Sequence, residues 1–264
     1  MPSSTPNLAI PYPLAADPAN VPSDMLALAT RIDNLAGSGV FSKAPTRQIF
    51  TAAGSGTYTT PAGCRAILVE CVGGGGGGGG CNTVSSGQVS AGGGGGGGSY
   101  SASLIANPVA SYAYQVGAGC AGGAAGNNPG ATPTATNDTT FGSSLVVAKA
   151  GGPGQGNSSG AVTQVTQGGS PAVGVNGTGD LRLDGDGGGP AICVAAGQGV
   201  SGRGGGSGGP YGSRRNETAS AGASSGQAGT GYGSGGSGGI RTAATGTQAG
   251  GAGSSGIIVV TEFY

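Results

Sequence analysis

The stretch "RAILVECVGGGGGGGGC", residues 65–81, decides the fold because an apolar run leads directly into eight glycines. Ile67, Val69 and Cys71 alternate with other residues, so they would share one face of a β-strand. A second run, residues 92–98, leads back into another apolar stretch. The glycines could form a flexible linker, a phosphate-binding loop or a packed structural element.

The composition excludes several classes of protein. Of 264 residues 65 are glycine and 8% are charged, which is unlike an average globular domain. However, 36% of the residues are apolar and gather in short runs, which is unlike a disordered chain. The net charge is zero, so we expect no nucleic-acid binding. No window approaches the ~20 apolar residues of a membrane span, and the start lacks a basic and apolar leader, so we expect no membrane insertion.

The residue types argue against catalysis and phosphate binding. A phosphate-binding loop needs GxxxxGK followed by Ser or Thr, but Lys43 and Lys149 are each followed by alanine. There is no histidine, so no Ser-His-Asp or Cys-His arrangement is possible. The five cysteines form no CxxC pair and are interpreted as small, reduced thiols. We therefore predict a protein that is not an enzyme and has no cofactor.

An acidic segment, "GDLRLDGDGGG", is a weak candidate for a metal site. Asp180, Asp184 and Asp186 could bind calcium through carboxylate oxygens. Their spacing departs from the EF-hand loop and lacks its closing glutamate. A solvated turn is the simpler interpretation, and glycoside hydrolysis by carboxylates is a remote one.

Arginine and tyrosine side chains in the glycine-rich half are candidates for receptor binding. Such side chains suit stacking on sugars and recognition of phosphate or carboxylate groups. An ordinary polar loop is an equally simple interpretation. The candidates are Arg203, Tyr211, Arg214, Arg215 and Tyr232.

The chain divides into three parts: an extended arm (1–22), a short helix with a linker (23–47) and a β-rich body (48–264). Six prolines in the first part disfavour a helix there. Ser23 and Gly37 mark the two ends of the predicted helix. The arm has no core of its own, so it must lie on a partner or stay mobile. The candidate residues for attachment and oligomerisation are Tyr12, Met25, Leu28, Ile32 and Leu35.

The four large apolar residues of the helix, from Met25 to Leu35, are spaced three, four and three. This spacing matches a and d positions of about two heptads. A helix this short is marginal alone. It must therefore pack, either against the body of its own chain or against copies of itself; we favour copies in a trimeric coiled coil.

The body is predicted to be an antiparallel β-sandwich with long glycine-rich loops, because short alternating runs are separated by turn-rich segments. Its first and last strands should meet in the same sheets, with the glycine-rich segments projecting from one end. The candidate strands are "RQIFT", "GTYTT", "RAILVECV", "SYSASLIA", "YAYQVG", "SSLVVAKA", "AICVAA" and "GIIVVTEFY".

The glycine runs should be ordered. Ordering eight glycines costs about 4–8 kcal/mol more backbone entropy than ordering alanines. Close packing must offset that cost, and the extended threefold polyproline II form allows it. We therefore predict that residues 73–80 pack against other glycine-rich segments, whether within one chain or between three. For residues 151–255 both disorder and such packing remain open.

The order of these blocks resembles the glycine-rich domain of bacteriophage tail and tail-fibre proteins. The resemblance covers residues 48–264, and Cys64 and Cys71 stand where that family usually carries an aliphatic residue. The arm also resembles the leader by which phage fibres attach to the particle. The matching blocks are "FTAAGSGTYTTPAGCRAILVECVGGGGGGGG", "GGGGGGGSYSASLIANP", "YAYQVGAGCAGG", "TTFGSSLVVAKAGGPG" and "SGIIVVTEFY".

The resemblance implies a non-enzymatic virion component, assembled in the host cytoplasm and exposed on the particle surface. It implies a homotrimer that docks on other tail or baseplate proteins through residues 1–36. Its body would contact a bacterial surface glycan or outer-surface protein, as a tail fibre or adhesin does. The alternative is a head fibre, decoration or tail connector protein without a receptor.

Overall fold

The computed structural model describes residues 3–4, 11–12, 21–37, 43–157, 164–170, 176–194, 198–211, 222–242 and 246–264. Helix α1 spans Val21–Gly37 and one 3-10 turn spans Ala135–Asn137. The strands are β1 Ser3–Ser4, β2 Pro11–Tyr12, β3 Thr46–Phe50, β4 Gly54–Thr59, β5 Ala66–Val72, β6 Ser90–Ala91, β7 Tyr100–Ala106, β8 Ser111–Val116, β9 Thr139–Phe141, β10 Val146–Ala148, β11 Gln164–Thr166, β12 Leu181–Leu183, β13 Ala191–Val194, β14 Gln198–Val200, β15 Ala223–Ser224, β16 Ile240–Arg241 and β17 Ile257–Phe263.

Helix α1 begins at Val21, two residues before the predicted start. Pro22 therefore lies in the first turn, where a helix tolerates proline because the amide hydrogen there has no partner within the helix. The extended arm contains β1 and β2, which pair antiparallel. Within the described residues, no helix is both long and apolar enough to cross a bilayer.

Two antiparallel sheets form the predicted β-sandwich. The first has the strand order β12-β7-β5-β17-β3 and the second β10-β9-β8-β4. The alternating residues Ile67, Val69 and Cys71 of β5 lie fully buried between the sheets. They pack against aromatic rings of the second sheet, including Tyr58 and Phe141.

The two ends of the body meet in one sheet, as predicted. The closing strand β17 lies between β5 and β3, with Val259 opposite both Glu70 and Ile49. Its alternate residues face opposite sides, yet both faces are largely buried.

The glycine-rich segments leave one end of the sandwich and pack into a single block. Residues 73–80 are buried throughout, in an extended form without strand pairing. Their amide groups donate hydrogen bonds to three neighbouring segments in turn, which is the threefold repeat of polyproline II. Gly76 and Gly79 donate to Gly96 and Gly93, Gly75 and Gly78 to Ser254 and Gly251, and Gly74 and Gly80 to Asn137 and Asn128.

The second run, residues 92–98, is also buried and has six neighbours. It donates hydrogen bonds to segments 233–239, 152–155 and 186–189. It accepts them from segments 76–79 and 202–208 and from Gly169. All of these segments belong to one chain, so the glycines pack within the chain.

Glycine is required in the block because each neighbour lies at backbone distance. A Cβ atom on Gly76 would collide with the carbonyl oxygen of Gly152, and one on Gly95 with that of Gly76. The prediction that residues 73–80 are ordered and packed is confirmed. The described glycine segments beyond residue 151 pack in the same way, and this half contributes short strands, of which the sequence indicated only β13.

The far end of the block, which we call the distal end, carries two small sheets. They have the strand orders β11-β13-β14 and β15-β16-β6. A small apolar cluster lies between them, formed by Val89, Ala91, Ala191, Cys193 and Ile240.

Candidate functional site

The outer face of the β11-β13-β14 sheet is an exposed apolar surface at the distal end. Val165 lies opposite Ile192, and Ile192 lies opposite Val200, so the three side chains form one row across the sheet. Val194 follows two residues after Ile192 on the same face. All four side chains are between 41% and 66% exposed. We call Val165, Ile192, Val194 and Val200 the distal patch.

The glycine block supports the distal patch. In β13 the alternate residues Ala191 and Cys193 are buried on the inner face, against Val89 and Ile240. Gly199 also faces inward, where a Cβ atom would collide with the side chain of Val89. The small inner residues therefore hold the sheet tightly on the block and direct the larger side chains outward.

Arg203 is an exposed side chain beside this sheet, three residues after Val200. Its backbone carbonyl accepts a hydrogen bond of 2.7 Å from the amide of Gly189. The backbone is thus held within the glycine block while the guanidinium group reaches solvent. Of the receptor-binding candidates, Arg203 is placed nearest the distal patch along the chain.

Tyr211 and Tyr232 lie elsewhere, against the sandwich. Both pack on the cluster formed by Val72, Tyr100, Ala102, Ile257 and Val259. The Tyr211 hydroxyl donates a 2.8 Å hydrogen bond to Glu70, whose carboxylate also accepts one of 2.7 Å from Tyr100. Burial, together with the bond to Glu70, raises the pKa of Tyr211 to about 12. The Tyr211 hydroxyl is therefore engaged in the fold.

Other sequence candidates are only partly described. Arg214 and Arg215 lie outside the described residues, and only the backbone is described for Tyr12 and Leu35. In α1, the side chains of Met25, Leu28 and Ile32 are exposed. The sequence correctly placed these three on the helix; their role in attachment and oligomerisation stays a prediction.

The three aspartates are not gathered into a metal site. Asp180 sits beside β7, where its carboxylate accepts a 3.3 Å hydrogen bond from the amide of Leu104. Asp184 and Asp186 follow β12 on an extended segment. Across the part of the chain that the structure describes, no three His, Cys, Asp or Glu side chains lie close enough to hold a metal ion.

A cleft of about 270 Å³ lies where the sandwich meets the glycine block, between residues 133–135 and 149–150. It contains an ion pair between Lys149 and Asp138. The same aspartate accepts a 2.9 Å hydrogen bond from the amide of Ala150. Since these charged groups satisfy one another, the cleft offers little for recognition of a ligand.

The buried acid Glu262 is a structural group. Its carboxylate accepts hydrogen bonds from Gln48 at 2.6 Å, from Tyr58 at 3.0 Å and from Thr46. Burial opposes the charged form, but these donors outweigh it and lower the pKa of Glu262. The group ties β17 to β3 and β4.

The cysteines are free thiols, and all but Cys64 are buried. Burial raises the pKa of Cys81 and of Cys120 to about 11. A thiol with a raised pKa carries little thiolate at neutral pH and is a poor nucleophile. This agrees with the interpretation of the cysteines as small core residues.

The sequence reasoning missed the distal patch. "AICVAA" was a possible strand, but nothing indicated that Ile192 and Val194 would face solvent while Ala191 and Cys193 faced inward. The one available signal was size, because the smaller residues alternate with the larger ones in β13.

Comparison with known proteins gives one family. A family model described as "Glycine-rich domain" matches residues 51–262, which is most of the chain. A comparison with curated proteins finds no significant match.

Proposed function

The chain belongs to the glycine-rich domain family, and from that premise we propose that it is a bacteriophage appendage protein, a tail fibre or adhesin, that contacts the host surface. It would attach to the particle through residues 1–36 and present its distal end to the cell. The proposal includes location on the virion surface and docking on other tail or baseplate proteins.

The observation that carries the proposal is that the N-terminal segment and the distal patch lie at opposite ends of the body. Strand β17 starts beside the glycine block and ends at Phe263, and Thr46 at the start of β3 lies opposite Glu262. The N-terminal segment therefore enters at the end of the sandwich remote from the block. The distal patch lies at the opposite pole.

The spacing of the two poles supports a role in presentation. Seven residues of β17 span about 24 Å at ~3.4 Å each. Eight glycines in the polyproline II form add about 25 Å at ~3.1 Å each. A hydrogen-bonded block of this kind would hold the distal patch about 50 Å from the point of attachment and would keep its orientation.

Competition for adsorption tests the proposal. Purified full-length protein should compete with the parent particle for adsorption to its host cells. Ile192→Asp should weaken that competition by at least about tenfold, because a charge at the centre of the distal patch opposes desolvation there. Leu145→Asp is the matched control, since Leu145 is also an exposed apolar residue but lies at the attachment end.

Three results would contradict the proposal. If the chain is on the particle but does not compete, the alternative of a head fibre, decoration or tail connector is favoured. If particles lack the chain, both proposals fail. Cleavage of host glycan that is lost on changing Asp184 and Asp186 would instead indicate a depolymerase.

A further inference from the structure

Polar side chains lie beneath the distal patch, on the inner side of the β11-β13-β14 sheet. On β13, Ala191 and Cys193 are buried on this inner side. Gln164 of β11 lies opposite Cys193, and Thr166 of the same strand lies opposite Ala191. Residues that lie opposite each other in neighbouring strands share a face of the sheet. The inner side of β11 is therefore polar, whereas that of β13 carries small, weakly polar residues.

Asn157 places its side-chain amide against the inner side of β11. This residue is 2% exposed. Its Nδ2 atom donates hydrogen bonds to the Thr166 hydroxyl at 2.8 Å and to the Ala91 carbonyl oxygen at 3.2 Å. Its backbone amide donates to Gly80, and its backbone carbonyl accepts from Asn82. The Asn157 amide is therefore held from several directions.

The Ala91 carbonyl group sets the orientation of this amide. A side-chain amide can be turned over, which exchanges its nitrogen and oxygen atoms. If Asn157 were turned over, its oxygen would face the carbonyl oxygen of Ala91, and two acceptors repel each other. Nδ2 therefore lies toward Ala91, and Oδ1 points away from it.

Two buried oxygen atoms at this place lack a donor. Among the residues that the structure describes, no group donates a hydrogen bond to Asn157 Oδ1 or to Gln164 Oε1. The two oxygens cannot satisfy each other, because both are acceptors. A buried acceptor without a donor destabilises the fold. Each oxygen therefore requires a donor from elsewhere.

Gln164 is a direct neighbour of the Asn157 amide. Thr166, which accepts a hydrogen bond from Asn157, lies two residues from Gln164 on the same face of β11. Cys193 lies opposite Gln164, and its sulfur atom lies 3.8 Å from Nδ2 of Asn157. The Asn157 amide thus contacts two inner-face neighbours of Gln164. The two oxygens therefore face the same place beneath β11.

We propose that one water molecule is bound between the side chains of Asn157 and Gln164. Water has two hydrogens to donate, one for each oxygen, and buried waters typically bond to polar groups that the chain leaves unsatisfied. This site goes beyond the proposed function and does not depend on it. The water fastens β11, and with it Val165 of the distal patch, to the glycine block.

A high-resolution crystal structure of the full chain tests the proposal. We expect a density peak at about 2.5–3.0 Å from both Asn157 Oδ1 and Gln164 Oε1. Three findings would overturn it. They are the absence of such a peak, contacts of about 2.3–2.6 Å to several oxygens that indicate a calcium ion, and a protein donor at Asn157 Oδ1. That donor would be a turned Gln164 amide or a main-chain amide of residues 158–163.

A pair of variants tests the role of the water. Gln164→Met removes the side-chain oxygen with little change in length, so the water loses one of its two acceptors. The density peak beside Asn157 should be lost, and amide hydrogen exchange in β11 should become at least about tenfold faster. A retained peak, or β11 exchange equal to that of the parent chain, would contradict the bridging role.

Gln155→Met is the matched control. Gln155 is an exposed glutamine two residues before Asn157. The same chemical change at this position leaves both acceptors of the water in place. The density peak and the exchange rate of β11 should therefore match those of the parent chain.

Discussion

At the residue scale, the glycine block depends on the absence of side chains. Gly76 donates to Gly96 and faces the carbonyl group of Gly152, so three backbones converge on it. Backbone segments this close leave no room for even a methyl group. Sequence reasoning reached the need for close packing from the entropic cost of glycine, but the neighbours of each glycine came only from the structure.

A single methyl group should therefore destabilise the protein. Gly76→Ala forces a Cβ atom against the Gly152 carbonyl, and we expect a loss of about 3 kcal/mol in the free energy of unfolding, since overpacking that shifts backbone typically costs about 1–3 kcal/mol or more. Urea unfolding measures it. Ala121→Ser, an exposed position in a neighbouring segment, is the control and should have little effect. A loss below about 0.5 kcal/mol for Gly76→Ala would contradict this account of the block.

At the element scale, the sequence predicted the long elements and two short strands, β10 and β13, and missed the other short strands. Strands β3, β4, β5, β7, β8 and β17 and helix α1 follow from periodic patterns that are local in sequence. The strands β11, β12 and β14 have three residues each, which is too short to show such a pattern. They are strands only because they pair with other strands in the folded chain. The glycine segments show no period at all in sequence, although their hydrogen bonds repeat every third residue.

The glycine segments should behave as stable elements in hydrogen exchange. Peptides covering 73–80 and 92–98 should exchange as slowly as β5, because their amide groups are buried and donate to neighbouring segments. The exposed residues between them, such as Thr83 and Ser85, provide the internal comparison and should exchange fast. Exchange of the glycine amides at the same rate as this turn would show that the block opens readily.

At the scale of the whole molecule, buried ionisable groups limit the pH range of stability. Burial raises the pKa of Cys81 and Cys120 from 9.0 to about 11. Burial and the bond to Glu70 raise the pKa of Tyr211 from 10.0 to about 12. The unfolded chain loses these protons at lower pH than the folded chain does. Their contribution to the free energy of unfolding is therefore complete below about pH 9, and it is lost as the pH rises through the pKa values of the folded chain.

Glu262 acts with the opposite sign. Its pKa is lowered from 4.5, so its contribution is complete above that value and is lost as the pH falls through the folded value. We expect the urea midpoint to be highest between about pH 5 and 9 and to fall on both sides. Tyr211→Phe removes one titrating group, so the urea midpoint of this variant should fall less steeply at alkaline pH. A midpoint at pH 10.5 equal to that at pH 7 would contradict the assignment.

The sequence by itself determined the β-sandwich, the position of α1 and the need for packed glycines, because alternation, helix spacing and backbone entropy act locally along the chain. Only the tertiary structure decided which glycine segments are neighbours, since polyglycine has no side chains to specify a partner or a register. It also decided that Tyr211 is engaged with Glu70 while Ile192 faces solvent. Such outcomes depend on which segments pack against each other, and that packing is made by residues far apart in sequence.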